Sequence, residues 1–360
     1  MSSLPKYAQL KQEIISWINS AKYKPNQQLP SEHEMAEQFG FSRQTVRQAL
    51  GELVQEGWLH RTQGKGTFVS DVAANERKSS DGQTIAMITT YISDYIFPTI
   101  VRGVESSLRV QGCRLLLSST DNEKERERES LELMMRQGIS GLIIEPTKSA
   151  EGNPNFNYFL SLDNQRIPYV MLHEKYNDLD CPVVRLDDQA GGYKAAEHLL
   201  KLGHRRIVGM FKVDDMQGIK RMKGFVQAHR EYGAALQTEY LVRYRTEEKL
   251  TVPEAALREL LAQDDRPTAI VCYNDELAVL LLQVLREQQL QVPDDISIVG
   301  FDDATLATAT EVQLTTLAHP KEKMGEVAVE LLLSCMDNKS VVQDRVFIPE
   351  LIIRQSTKAL

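Results

Sequence analysis
Cysteine is scarce in this chain: Cys113, Cys181, Cys272 and Cys335 are its four among 360 residues, and none shares the short spacing of a metal knuckle or a redox pair. A disulfide scaffold is excluded on the same count, and a chain of this length buries enough core to need none. Long hydrophobic runs are missing as well. Ala278 to Leu282 is among the longest, far short of the ~20 residues that cross a bilayer, and the opening Met-Ser-Ser-Leu-Pro-Lys lacks the apolar stretch of a secretory leader. The cytoplasm is the expected location, with no membrane partner. None of the seven histidines forms a His-Glu-x-x-His pair and no Gly-x-Ser-x-Gly elbow occurs, so zinc and serine hydrolases lack their parts. The acidic pairs Asp187-Asp188, Asp214-Asp215 and Asp302-Asp303 have no EF-hand spacing around them. No catalytic residue, metal or cofactor is therefore expected.

Positive charge is short overall, with 42 basic residues against 50 acidic and a net charge of -8. The deficit is uneven. Residues 1 to 70 carry eight Lys or Arg against six acids, so a mildly cationic segment precedes an acidic body. Such a segment can touch a polyanion locally while the rest of the chain stays off it.

That segment reads as three helices and a hairpin. Tyr7, Leu10, Ile14, Ile15, Trp17 and Ile18 follow helical periodicity after Pro5. Ser31 with Glu34 is a capping box, and Met35, Ala36 and Phe39 make a short second helix that ends at Gly40. Ser42 caps a third helix, in which Val46, Ala49, Leu50 and Leu53 form the apolar stripe while Arg43, Gln44, Arg47 and Gln48 project elsewhere. An ordinary solvated face has this composition. Major-groove reading also needs it, since an Arg fork matches guanine and a Gln amide matches adenine. Residues 58–62 and 67–70 then read as two strands joined by Gln63-Gly64-Lys65-Gly66, which completes a winged helix. The glycines let the backbone approach a phosphate or the minor groove, and Lys65 adds charge there. A nucleotide phosphate loop is the competing reading of Gly-Lys-Gly-Thr, but no buried strand precedes it and no long helix follows.

Residues 71–83 lack apolar periodicity and read as a linker. Beyond them short apolar runs recur at Ile85 to Ile88, Leu115 to Leu117, Leu142 to Ile144 and Tyr169 to Leu172, and later at Val183, Ile207, Ala269 and Ile296. Helical patterns lie between them. This βα rhythm implies parallel sheets covered on both faces. The region, 84–360, is large for one sheet, so two doubly wound lobes with a cleft at the carboxyl ends of the strands are expected. Ser93, Asp94 and Phe97, then His173, Glu174 and Lys175, then Asn274 with Asp275, and Asp302 with Asp303 fall at those ends. Carboxylates, amides and a cation around an aromatic face suit a polyhydroxylated ligand. Each of the acids could instead cap a helix.

Leu29-Pro30-Ser31-Glu32, residues 41–50, Glu56-Gly57-Trp58-Leu59 and residues 64–69 resemble the GntR-family winged helix-turn-helix across most of the first seventy residues. The resemblance implies that Arg43, Thr45 and Arg47 contact bases or phosphates, that the wing tip at Gln63 and Gly64 enters the minor groove, and that Lys6 touches the backbone. Ser42, Gln44 and Lys65 complete the expected DNA-contacting set. His33 departs from the arginine that some relatives carry there. Residues 195–204, Arg221 to Phe225, Asn274 to Ala278 and residues 292–303 resemble the LacI/GalR effector domain, which is related to periplasmic sugar-binding proteins. That similarity implies effector contacts at Asp94, Phe97, Arg221, Tyr244, Asn274 and Asp302, with His319 reaching back from the last crossover. His173-Glu174, followed by Lys175, stands where sugar-binding relatives often have Asp-Arg, so these three join the expected effector set while the departure leaves the sugar open. A GntR-type reader joined to a LacI-type sensor resembles the arabinose-responsive repressors, which implies L-arabinose as effector.

The expected architecture is thus α/β: a winged helix-turn-helix over 1–70, a linker over 71–83, and a two-lobed periplasmic-binding-protein-like effector domain over 84–360. The expected function is a homodimeric transcriptional repressor whose hold on operator DNA is lowered by the sugar. The rival from another class is a sugar-active α/β enzyme with an accessory DNA module, for which Glu174 and Asp302 would have to serve as an acid-base pair.

Overall fold
A computed structural model of the chain describes residues 5–19, 22–24, 26–55, 58–62, 66–70, 82–337 and 343–360. It divides into two compact units, Met1–Gly82 and Gln83–Leu360. Gln63, Gly64 and Lys65 of the expected wing tip, and 71–81 of the expected linker, lie outside the described residues.

In the first unit, α1 (Lys6–Asn19), α2 (Glu32–Phe39) and α3 (Arg43–Gln55) pack around Leu10, Ile14, Trp17, Met35, Val46, Leu50 and Leu53. The local sequence explains each boundary. Ser31 Oγ accepts from the Glu34 amide while the Glu34 carboxylate accepts from the Ser31 amide, and Gly40 ends α2 in the left-handed region at φ 64°. Ser42 Oγ accepts from the Thr45 amide and so caps α3. Strands β1 (Leu59–Thr62) and β2 (Gly66–Val69) pair antiparallel, Leu59 opposite Val69 and Thr62 opposite Gly66. Leu59 and Val69 seat the hairpin on the helical core.

The second unit has two parallel sheets. One runs in the order β13-β7-β6-β5-β3-β4, built from β3 (Thr84–Thr89), β4 (Arg114–Ser119), β5 (Gly141–Ile144), β6 (Tyr169–Leu172), β7 (Val183–Leu186) and β13 (Arg345–Phe347). The other runs β11-β10-β8-β9, from β8 (Ile207–Lys212), β9 (Leu241–Tyr244), β10 (Ala269–Cys272) and β11 (Ser297–Val299). Inner strands β5, β6 and β10 are buried at every residue, as their unbroken apolar runs require. Of the helices, α4 (Phe97–Val110), α5 (Lys124–Arg136) and α6 (Phe156–Asn164) belong to the first lobe, as does α12 (Lys321–Met336), which packs on α4, β5 and β6. The second lobe carries α7 (Asp188–Lys201), α8 (Met216–Glu231), α9 (Val252–Leu261) and α10 (Asp275–Glu287), with the single turn α11 (Leu306–Ala309). β12 (Thr316–Leu317) pairs antiparallel with β14 (Leu351–Ile352).

Strand order locates the crevices. In the first sheet the chain leaves β3 for β4 on one side and reaches β5 on the other; in the second it leaves β8 for β9 and then reaches β10. Each reversal parts the loops beyond the strands' carboxyl ends and opens room for a ligand.

Candidate functional site
The two reversals face a common cavity of about 210 Å³, below the ~300–1,000 Å³ of drug-sized pockets and of a size for a small polar molecule. Thr90, Tyr91, Asp94, Tyr95 and Phe97 reach it from beyond β3, Glu145 from β5, and His173 and Glu174 from β6. The second lobe contributes Lys212 at the end of β8 and Asp215 just after it, Arg221 from α8, Tyr244 from β9, Tyr273 and Asn274 after β10, and Asp302 after β11.

Arg221 is the centre of the second lobe's wall. Its side chain is 2% exposed, its Nε donates to Asp188 Oδ1 at 2.8 Å, and its Nη1 donates to the Tyr273 carbonyl at 2.7 Å. Asp302 Oδ1 lies 3.5 Å from Nη2. The guanidinium is stacked 3.6 Å from the Phe301 centroid and 4.9 Å from that of Tyr273. Burial opposes its charge, but Asp188 and Asp302 outweigh burial and hold it protonated. Burial also raises the Asp188 carboxyl to about 6 against the pull of Arg221, and Asp188 Oδ2 has no hydrogen-bond partner among the described residues. A planar cation pinned by Asp188 and set against two aromatic rings can offer fixed donors to ligand hydroxyls.

On the facing wall Glu145 is saturated. Its Oε2 accepts from the Thr89 hydroxyl, the Thr90 amide and the Thr90 hydroxyl, and its Oε1 lies 2.6 Å from His173 Nδ1. Burial works against charge on both, yet the mutual attraction wins: the carboxyl falls below its ordinary value and the imidazole rises above its own. His173 Nε2 then meets His319 Nε2 at 3.2 Å. Burial and the neighbouring His173 push His319 well below an ordinary histidine, so of the two imidazoles His173 favours the proton.

Tyr95 crosses the cleft. Its hydroxyl lies 2.8 Å from Asp302 Oδ2 and 3.0 Å from the Phe301 carbonyl, and accepts from the Asp275 amide at 3.1 Å. Asn122 Nδ2 donates to Thr246 Oγ1 at 2.7 Å, and the Met216 amide donates to Ser149 Oγ at 2.9 Å. Glu174 is ion-paired with Lys220.

Of the expected effector residues, Asp94, Phe97, His173, Glu174, Arg221, Tyr244, Asn274 and Asp302 line the cavity. The structure does not bring Lys175 there: its ammonium donates to the Cys181 carbonyl at 3.3 Å and stands 3.8 Å from Asp344. His319 is buried behind His173 and reaches the wall only through it. Capping and lining prove compatible, since Asn274 Oδ1 accepts from the Leu277 amide at the start of α10 and the residue still lines the cavity. Asp303 is otherwise engaged, accepting from Arg354 at 2.6 Å. Sequence reasoning missed Glu145, Lys212, Asp215, Tyr95, Tyr273 and Asp188. All of them end or follow a strand or sit in the same β3 loop as residues already named, so the strand-end rule, applied without exception, would have found them; Asp188, the first residue of α7, stands just beyond β7.

In the first unit Arg43, Gln44, Arg47 and Gln48 are exposed on α3, and Thr45 is half-buried. Ser42 Oγ is shared between the cap and Thr45 Oγ1 at 2.8 Å. Lys6 Nζ stands 5.6 Å over the Phe41 ring. Two residues missed in the sequence join this face: Glu32 accepts from Arg47 Nε at 3.0 Å and from Arg61 Nη2 at 3.3 Å.

Residues 6–69 match the bacterial regulatory proteins of the gntR family, and residues 196–357 match the periplasmic binding protein-like domain. The chain is 58% identical over 362 residues to an arabinose metabolism transcriptional repressor of Geobacillus stearothermophilus, with 99% of each chain covered. It is 45% identical to an arabinose metabolism transcriptional repressor of Halalkalibacterium halodurans over 98% of this chain and 96% of that one. Among solved structures, a LacI family transcriptional regulator from Enterococcus faecium with bound ribose is similar at a TM-score of 0.67 and 28% identity, covering 77% of this chain and 100% of that one.

Proposed function
The chain belongs to the transcriptional repressors that join a GntR-type winged helix to a LacI-like, periplasmic-binding-protein-like effector domain, and from that membership we propose that it represses genes of arabinose metabolism and releases their operators when L-arabinose fills the cleft. It is a regulator, as its relatives are, and not an enzyme. One observation carries the sugar reading: a stacked, buried arginine and several carboxylates converge on a cavity of about 210 Å³ at the reversal points of both sheets. Hydroxyls pair with charged donors and acceptors there, and the C–H faces of a sugar ring pack on Phe97, Tyr244 and Tyr273.

In this reading Arg43, Gln44, Thr45 and Arg47 read the major groove, Lys6 and Ser42 hold the backbone, and Gln63, Gly64 and Lys65 enter the minor groove. Two copies of the chain in the cytoplasm present two readers to a pseudo-palindromic operator. Sugar acts only through its preference for the form that binds DNA poorly; a tenfold loss of operator affinity asks for about 1.4 kcal/mol of such preference.

The test uses a duplex selected by the chain itself from a randomised pool. L-arabinose should release that duplex in a mobility shift and bind in calorimetry, and Arg47→Ala should lose the duplex while binding L-arabinose as before. Release by other pentoses but not by L-arabinose would overturn the effector. Unchanged mobility shifts for Arg47→Ala would overturn the groove assignment.

A further inference from the structure
Glu32 is the first residue of α2, fixed there by the Ser31 capping box. Its carboxylate gathers two cations from two other elements. Arg47 of α3 donates from Nε to Oε2 at 3.0 Å, with Nη2 ion-paired to the same oxygen at 3.0 Å, and Arg61 of β1 donates to Oε1 at 3.3 Å. The Arg47 side chain is 68% exposed, and an ion pair so open to solvent is screened and adds little to stability. Stability therefore does not account for the arrangement.

Its geometry does more. Nε and Nη2 form the side edge of the guanidinium, so Glu32 grips Arg47 from the side and turns the outer edge, with Nη1, away from itself. That outer edge is the fork that matches guanine O6 and N7. A carboxylate on the same face also repels phosphate and holds part of the charge of both arginines, which weakens the sequence-independent attraction to DNA. We propose that Glu32 is a specificity-determining positioning residue: it orients Arg47 for base edges and withholds Arg47 and Arg61 from phosphates. The proposal rests on the groove assignment made above.

The experiment compares full-length wild type, Glu32→Gln, Glu32→Asp and Arg47→Ala by fluorescence anisotropy. The probes are the duplex selected by the wild-type chain and a scrambled duplex of equal composition, from about 50 to 200 mM salt. For Glu32→Gln the preference for the selected duplex should fall about tenfold, chiefly because the scrambled duplex binds more tightly. The slope of log K against log salt on the scrambled duplex should steepen by about 0.9, one added phosphate contact. Glu32→Asp should keep most of the preference, and thermal midpoints should stay close to wild type. The proposal is overturned if Glu32→Gln discriminates within about twofold of wild type, or if it loses only the selected duplex with the salt slope unchanged. A collapse of its thermal midpoint would overturn it too, since that marks a structural prop. A wild type without preference, or an Arg47→Ala that keeps it, would instead refute the groove assignment.

Discussion
At the scale of single residues, the Glu145–His173 pair shows how burial and pairing set charge. The carboxylate has four protein donors and the imidazole two partners, and His173 holds a backbone φ of 63°, which non-glycine residues adopt at a cost. Removing one member of a buried pair costs about 3–5 kcal/mol because the other is stranded, so Glu145→Gln should lower the thermal midpoint clearly. The pH dependence follows from the two shifts. The raised His173 gives stability that is full below its unfolded value of ~6.5 and is lost as pH climbs through its higher native value. The lowered Glu145 gives stability that is full above its ordinary 4.5 and is lost as pH falls through its native value. The gap in melting temperature between wild type and Glu145→Gln should therefore be widest near pH 5 to 6 and narrow toward alkaline pH. A gap that grows toward pH 9 would show that the histidine is not charged in the fold. In the sequence, His173 and Glu174 were visible as strand-end residues, and Glu145, directly after β5, was open to the same rule; its pairing with His173 was not legible, because nothing local says that the residue after β5 faces the one after β6. That requires the strand order.

At the scale of elements, α7 and α8 meet backbone to backbone. A Cβ on Gly192 would lie 2.0 Å from the Arg221 carbonyl oxygen, and one on Gly224 would lie 1.9 Å from that of Gln189. Because the neighbour is backbone, it yields only if a helix moves, and α8 is the helix that carries Arg221. Gly192→Ala should cost about 1–3 kcal/mol, several degrees of thermal midpoint, and should weaken sugar binding in the same protein. Gly152→Ala, with nothing among the described residues within 4 Å of its Cβ, is the control. Differential scanning calorimetry and sugar titration check both, and equal behaviour of the two variants would refute the packing argument. Elements with long apolar periods or caps were legible: α2 with its capping box, α10 after Asn274, and the buried strands β3, β5, β6 and β10. Strand β9 was not, since Leu241–Tyr244 interleaves Arg243 with apolar residues and is partly exposed. Helix α9, which starts at Val252-Pro253, was passed over although a proline in its first turn marks the start. Strand β13 is three residues long and pairs with β7 across more than 150 positions of chain, a distance at which local pattern carries no information.

At the scale of the whole molecule, the proposed switch depends on how firmly the two lobes of the second unit hold each other. Contacts that cross between them stabilise the joined arrangement over a parted one, and a sugar that bridges the lobes draws on the same free energy. Tyr95 is the clearest such contact that is not itself charged: it comes from the first lobe, its hydroxyl touches Asp302, Phe301 and Asp275 of the second, and burial keeps the phenol neutral. Tyr95→Phe keeps the ring and removes the hydroxyl. The Asp275 amide retains the Phe301 carbonyl at 2.9 Å, so no backbone donor is stranded, while Asp302 loses a hydrogen bond that helps to hold it toward Arg221. A hydrogen bond to a charged group contributes about 1.5–3 kcal/mol, which corresponds to roughly 10- to 150-fold in an equilibrium constant. Sugar affinity should fall by at least tenfold, and the sugar concentration that releases half of the DNA should rise by the same factor. Operator affinity without sugar should not change, because Tyr95 belongs to the second unit and its substitution favours the form that already dominates when DNA is held. Calorimetry with L-arabinose and anisotropy on the selected duplex measure the two quantities on one preparation. Equal sugar affinity for Tyr95→Phe and wild type would show that the lobes join without this hydroxyl, and a rise in release concentration without a fall in sugar affinity would place Tyr95 in the coupling instead of in the clamp.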